Sequence, residues 1–248
     1  MKIGVIGTGW VAGLHLDALR QIEDAEVVAI AGRNETRAKE LALPIGAKTY
    51  SEPLSMLRSE SLDAVFILLP PHLHGDLERA CSEHVKGVLI EKPISQSLET
   101  AHAVNESFKK AGTIVSVGYM NRYRQSVQKI RELFSQPENE GILAHGWWTT
   151  QMPPPLWWRT FDHSGGQFVE QCTHLVDICR YTMGDIEEVS VAVVEGHEDS
   201  LARHSAAFLN HVHQLQRLDE PVTRAPQRVE LVLEFGKGDT VLLEYRIA

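Results

Sequence analysis

Residues 2–12 read Lys2-Ile3-Gly4-Val5-Ile6-Gly7-Thr8-Gly9-Trp10-Val11-Ala12. An apolar run breaks at Gly7 into the pattern G-x-G-x-x-A, and a helical stretch follows. The first glycine permits the tight turn, the second lets a backbone come close to a diphosphate, and the small sixth residue lets the helix pack on the strand. Amide groups at a helix N-terminus with no partner of their own are a ready anion site. The motif alone is weak, because glycine turns that merely join a strand to a helix are common. Its context, strand before and helix after, points to a bound dinucleotide, with Gly7, Thr8, Gly9, Trp10 and Val11 around the diphosphate.

Working outward, short Val/Ile/Leu runs recur at Lys2–Gly7, Glu26–Gly32, Asp63–Leu69, Gly87–Glu91 and Thr113–Tyr119. Continuous apolar runs of this length suit parallel strands covered on both faces. Helical stretches at Ala12–Gln21, Thr36–Ala42, Leu73–Glu83 and Ser97–Lys110 lie between them. The alternation predicts right-handed βαβ units and an α/β, doubly wound parallel sheet over residues 1–120. Past Tyr119 the pattern changes. A helix at Gln125–Ser135 leads to a strand within 141–150, and the Met152–Trp158 segment has too many prolines for a helix interior or a central strand. A helix over Gly166–Met183, a strand over Glu187–Glu195 and a helix over Ser200–Leu218 follow. The end is a hairpin, Val229–Phe235 answered by Val241–Ile247. Residues 121–248 therefore read as an α+β domain with a mostly antiparallel open sheet.

The formal charge of −9 argues against nucleic acid or an anionic membrane as partner. Three scattered cysteines make no disulfide framework and fit a reducing, cytoplasmic setting. No apolar run approaches the ~18 residues of a membrane span.

The second strand ends Ala31-Gly32-Arg33-Asn34, where an acid normally accepts from the ribose hydroxyls of NAD. Without that acid, Arg33 and Asn34 favour the 2′-phosphate of NADP over NAD. Arg33 as an ordinary solvated loop residue stays open. Two further stretches fall at strand ends, where chemistry is expected: Leu69-Pro70-Pro71-His72-Leu73-His74 and Glu91-Lys92-Pro93. Glu170, His174 and Asp177 share a face if their segment is one α-helix, and a carboxylate-held histidine is a usual general base. Taken alone, that segment fits a structural polar stripe as well as catalysis. Zinc is the rival chemistry for His72, His74, His174 and Asp177, but no cysteine pair or H-E-x-x-H supports it, and no metal is expected.

Taken in order, Gly7-x-Gly9-x-x-Ala12-x-x-His15, Pro70-x-x-x-His74, Glu91-Lys92-Pro93, Val117–Tyr123, Trp158-Arg159 and Gly165-Gly166 through Glu170-x-x-x-His174-x-x-Asp177 to Gly184 resemble the Gfo/Idh/MocA family. The resemblance spans about residues 1–195. It implies an NAD(P)-dependent dehydrogenase or reductase acting on the hydroxyl or carbonyl carbon of a sugar, inositol or related polyol. Lys92 and His174 become the catalytic pair, with Glu170 at a position that is more often Asp. Leu69, Pro70, His74, Glu91, Lys92, Asn121 and Arg159 join Gly7–Val11, Arg33 and Asn34 around the cofactor. It implies a homo-oligomer, dimer or tetramer, through the C-terminal sheet. The chain is shorter than most members, which implies either a shortened and rearranged second domain or a sequence that omits segments. An NAD-dependent glycosidase and a non-catalytic NADP-binding regulator are the alternatives.

Overall fold

Six short strands carry the first half of the chain: β1 (Lys2–Ile6), β2 (Glu26–Ala31), β3 (Lys48–Tyr50), β4 (Ala64–Ile67), β5 (Gly87–Ile90) and β6 (Ile114–Val117). All pair in parallel, in the order β3-β2-β1-β4-β5-β6. This is the doubly wound order whose direction reverses between β1 and β4, where such sheets open a crevice beyond their C-terminal ends. The computed structural model describes residues 1–139, 143–146, 154–166, 168–193, 227–235 and 239–247. The chain divides into two compact units, Met1–Ser95 with Glu99–Gly118, and Gln96–Leu98 with Tyr119–Ala248.

In the first unit the strands alternate with α1 (Trp10–Leu19), α2 (Glu35–Ala42), α3 (Pro53–Ser59), α4 (Asp76–Ser82) and α5 (Leu98–Ala111). Leu16 and Leu19 of α1 and Ala38 and Ala42 of α2 are buried with Ile3, Val5 and Ile30 in one apolar cluster. Each large aliphatic side chain so buried contributes about 1.5–3 kcal/mol. β3 and α3 are additional to the five strands and four helices expected. β3 has only three residues, Lys-Thr-Tyr, so no apolar run announces it. The helix expected over Leu73–Glu83 begins later, at Asp76. Pro71–Leu73 forms a 3₁₀ turn, and Gly75 takes φ +131° before the helix starts.

The strand register aligns Ala31, Ile6, Ile67, Ile90 and Val117 across the sheet. One residue further lies the row Gly32, Gly7, Leu68, Glu91, Gly118. Its amides still donate to the neighbouring strand, Gly7 to Ala31 O (2.9 Å), Leu68 to Ile6 O (2.7 Å), Glu91 to Ile67 O (2.9 Å) and Gly118 to Ile90 O (2.8 Å). Three of these five positions lack a Cβ, and neighbouring atoms take that room at each: Thr8 at Gly32, Leu68 O at Gly7 and the Glu91 carboxylate at Gly118.

In the second unit, α6 (Gln125–Phe134), β7 (Leu143–Gly146), α7 (Phe161–Ser164), α8 (Thr173–Met183), β8 (Ile186–Val193), β9 (Gln227–Phe235) and β10 (Asp239–Ile247) follow in order. Four strands pair as β7-β9-β10-β8. β10 is antiparallel to β8 and β9, and β7 is parallel to β9. The helix expected over Gly166–Met183 is not uniform. A π-helical turn at Phe168–Cys172 precedes α8. The helix expected over Ser200–Leu218 lies outside the described residues. Among the described residues no helix is long and apolar enough to cross a membrane.

Candidate active site

At the glycine turn, Gly7 has φ +113°, a region L side chains avoid, and a Cβ there would stand 2.2 Å from Leu68 O. Only glycine fits. Gly9 is different. It is the extended N-cap of α1, no side chain caps the helix, and a Cβ on it would meet nothing within 4 Å. The first turn of α1 carries no acidic side chain, and its leading amides have no intrahelical acceptor. An uncapped helix mouth with open space before it fits a diphosphate. Thr8 packs on the end of β2, where a Cβ on Gly32 would come 2.5 Å from its Cγ2. Val11 is half-buried, and Trp10 stands 78% exposed beside the turn.

Beyond β2 no carboxylate follows Ala31, and Arg33 is exposed. Asn34 serves the helix that follows, since its side chain accepts from the Arg37 amide (3.0 Å) and caps α2.

The loop after β4 carries half-buried Leu69 and Pro70. His74, expected at the cofactor, has its ring turned into the protein. Its Nδ1 meets Glu78 Oε1 at 2.5 Å, its Nε2 meets Leu69 O at 3.0 Å, and both side chains are fully buried. Glu78 Oε2 also accepts from the Gly75 amide (2.6 Å). Both ring nitrogens are thus engaged, and His74 fastens the loop that follows β4. Among the described residues no group of three or more His, Cys, Asp or Glu is arranged to hold a metal ion.

At the end of β5 the Glu91 carboxylate is directed inward. Oε1 meets His15 Nε2 at 2.9 Å, and Oε2 accepts from the Lys92 amide at 3.2 Å. The His15 ring packs edge-on against Phe66 of β4 (5.8 Å between centroids). The half-buried Lys92 follows, with a cis bond to Pro93. His15 belongs to the first sequence motif, yet its partner lies 76 residues away, a separation that no local pattern reveals.

In the second unit, α8 and the π-helical turn bury Glu170, His174 and Asp177 to 5% exposure or less. Asp177 is held by Arg122, whose Nε lies 3.0 and 2.9 Å from the two carboxylate oxygens and whose Nη2 lies 2.5 Å from Oδ1. Arg122 also lies over the rings of Tyr119 (5.7 Å) and Tyr181 (5.0 Å). Tyr119, wholly buried and with its phenol pushed above the usual range by that burial, lies 3.0 Å from Thr173 Oγ1. Its ring meets that of His174 edge-on at 6.0 Å. Asn121 is buried in the 3₁₀ turn Met120–Tyr123. Arg159 closes the turn Leu156–Arg159, and its side chain lies outside the described residues. Sequence reading missed the Arg122–Asp177 pair and the Tyr119 wedge, since both join segments more than fifty residues apart.

A parallel sheet of this order with a backbone anion cradle at β1 defines a dinucleotide-binding Rossmann domain. Residues 1–119 match the family model of the oxidoreductase family with an NAD-binding Rossmann fold, and residues 122–217 match an oxidoreductase C-terminal domain. The chain belongs to the Gfo/Idh/MocA oxidoreductase family. It is 34% identical over 196 residues to myo-inositol 2-dehydrogenase of Thermotoga maritima, covering 76% of this chain and 57% of that one. It is 30% identical over 200 residues to scyllo-inositol 2-dehydrogenase (NAD(+)) of Bacillus subtilis, covering 79% and 57%. The fold is shared with scyllo-inositol dehydrogenase of Lactobacillus casei, solved with NAD(H) and scyllo-inositol, at a TM-score of 0.71 and 20% identity over 83% of this chain and 63% of that one. The chain thus spans under two thirds of the length of these relatives.

Proposed function

We propose that the protein is an NAD(P)-dependent dehydrogenase or reductase acting on a secondary hydroxyl, or the matching ketone, of an inositol or related polyol. Residues 1–120 bind the cofactor and residues 121–248 bind the substrate in an α+β domain with a mostly antiparallel open sheet. The observation that carries the reading is the open, uncapped cradle at Gly7–Gly9, which takes a diphosphate on main-chain amides alone. Thr8, Trp10 and Val11 flank it and the loop Leu69–Pro70 follows the neighbouring strand; Asn121 and Arg159 are assigned to the cofactor by the family pattern alone. When bound, the nicotinamide accepts or gives a hydride at its C4. His174, oriented by Glu170, takes the proton of the substrate hydroxyl as the hydride leaves the carbinol carbon, and returns it in the reverse direction. Lys92 donates to the same oxygen and stabilises its developing charge. The free cysteines suit a reducing cytoplasm.

The exposed Arg33 and the missing acid after β2 support NADP over NAD, although the Bacillus subtilis relative is named for NAD(+). A titration with NADPH and NADH, read by cofactor fluorescence, tests this: Arg33→Ala lowers NADPH affinity by roughly tenfold and leaves NADH unchanged. Equal affinity for the two cofactors in the unaltered protein rejects the NADP preference. Turnover with myo-inositol, scyllo-inositol and other polyols, followed by cofactor absorbance, tests the activity. In that assay Lys92→Ala and His174→Ala reduce turnover by about a hundredfold or more.

A further inference from the structure

The row just beyond the strands holds one charged side chain, Glu91, among glycines and Leu68. It does not face the crevice as a ligand would. Its two oxygens are divided between two elements: Oε1 meets His15 Nε2 (2.9 Å) on α1, and Oε2 takes the Lys92 amide (3.2 Å) at the end of β5. The pair is largely shielded, with side-chain exposures of 21% for His15 and 16% for Glu91. A third element closes the box, since a Cβ on Gly118 would stand 3.0 Å from the carboxylate carbon and from both oxygens. Phe66 backs the imidazole. A carboxylate so confined has one orientation, and a charge-assisted hydrogen bond at each end makes it stiff.

We infer that His15 and Glu91 are positioning residues, a bracket that ties the helix carrying the diphosphate cradle to the backbone of Lys92. α1 begins at the cradle, and His15 lies little more than one turn inside it. The position of Lys92 is therefore fixed relative to the bound dinucleotide by a side-chain strut, not by the strand alone. This assigns Glu91 to the support of Lys92 in place of cofactor contact. Gly118 serves the same end by leaving room for the carboxylate. The inference rests on the proposed role of Lys92 for its functional meaning, but its geometry is independent of that role.

The test is chemical labelling of lysines in the full chain with acetic anhydride, quantified by peptide mass spectrometry. Exposed Lys39 of α2 is the internal reference. With His15→Ala or Glu91→Ala, Lys92 labels faster than in the unaltered protein by about tenfold while Lys39 does not change. The double variant labels no faster than either single one, because both break the same strut. His15→Gln, whose amide still donates to the carboxylate, restores the original rate. Unchanged Lys92 labelling in folded His15→Ala overturns the inference, as does an additive double variant. Should Glu91→Ala fail to fold, His15→Ala and its glutamine rescue decide the matter. Failure of NADPH to bind the unaltered protein sinks the functional reading, yet leaves the labelling result to judge the bracket.

Discussion

The phenolic oxygen of Tyr119 lies 3.0 Å from Oγ1 of Thr173, the residue that immediately precedes His174. The same ring meets the imidazole edge-on. Tyr119 therefore touches both the start of α8 and the side chain proposed as acid and base. Tyr119→Phe keeps the ring and loses the hydroxyl contact, which costs about 1 kcal/mol in chemical denaturation and leaves the catalytic geometry nearly intact. Tyr119→Ala opens a cavity beside His174, costs about 3–5 kcal/mol, and lowers kcat more than Tyr119→Phe. Equal kcat for the two folded variants would show that the ring does not position His174.

The two glycines of the cradle separate folding from binding. Gly7→Ala meets Leu68 O and an unfavourable φ at once, so it destabilises the fold by about 3 kcal/mol or more. Gly9→Ala projects a methyl group into open space and leaves thermal stability within about 1 kcal/mol. Its effect falls on the dinucleotide, whose backbone approach it obstructs. Melting curves together with NADPH titrations should show opposite outcomes for the two variants.

Removing one partner of the buried His74–Glu78 pair leaves the other without compensation. Glu78→Ala is expected to cost about 3–5 kcal/mol. Urea denaturation measures this, and a loss below about 1 kcal/mol would refute a fully buried, coupled pair.

Burial pushes the thiols of Cys81 and Cys179 up from 9.0 to about 12. Their folded values thus exceed the unfolded ones. The stability they contribute is full below pH 9 and is lost as pH rises toward about 12, because the unfolded chain releases those protons first. Below pH 9 neither thiol should react with iodoacetamide in the folded protein, while both react in urea. Rapid native alkylation of Cys81 would contradict its burial.

The first unit was legible because its signals are local. A glycine turn, five apolar runs and the stretches between them lie contiguous in sequence, and each came out near its expected bounds. β3 and α3 were not. β3 gains its strand character from pairing with β2 at the sheet edge, not from apolar content. α3 had a readable start, Pro53 in its first turn, which the periodicity reading passed over. At the candidate site the residue types were legible, but their partners were not. Glu170, His174 and Asp177 were picked out by spacing, yet Asp177 turns to Arg122, and His74 turns to Glu78 instead of outward. Such choices are made by packing between distant segments, where a single sequence carries little information.

The π-helical turn at Phe168–Cys172 has a consequence for Glu170. Hydrogen bonds of the i to i+5 type accommodate one residue more than an α turn does, as though an amino acid had been slipped into a regular helix. Each residue of an α-helix advances about 100° around the axis. Everything upstream of the extra residue is accordingly rotated by about that angle from where a helical wheel drawn on α8 would set it. The angular place of Glu170 around the axis is thus a product of chain length: a single-residue deletion in this turn would swing its carboxylate to another side of α8.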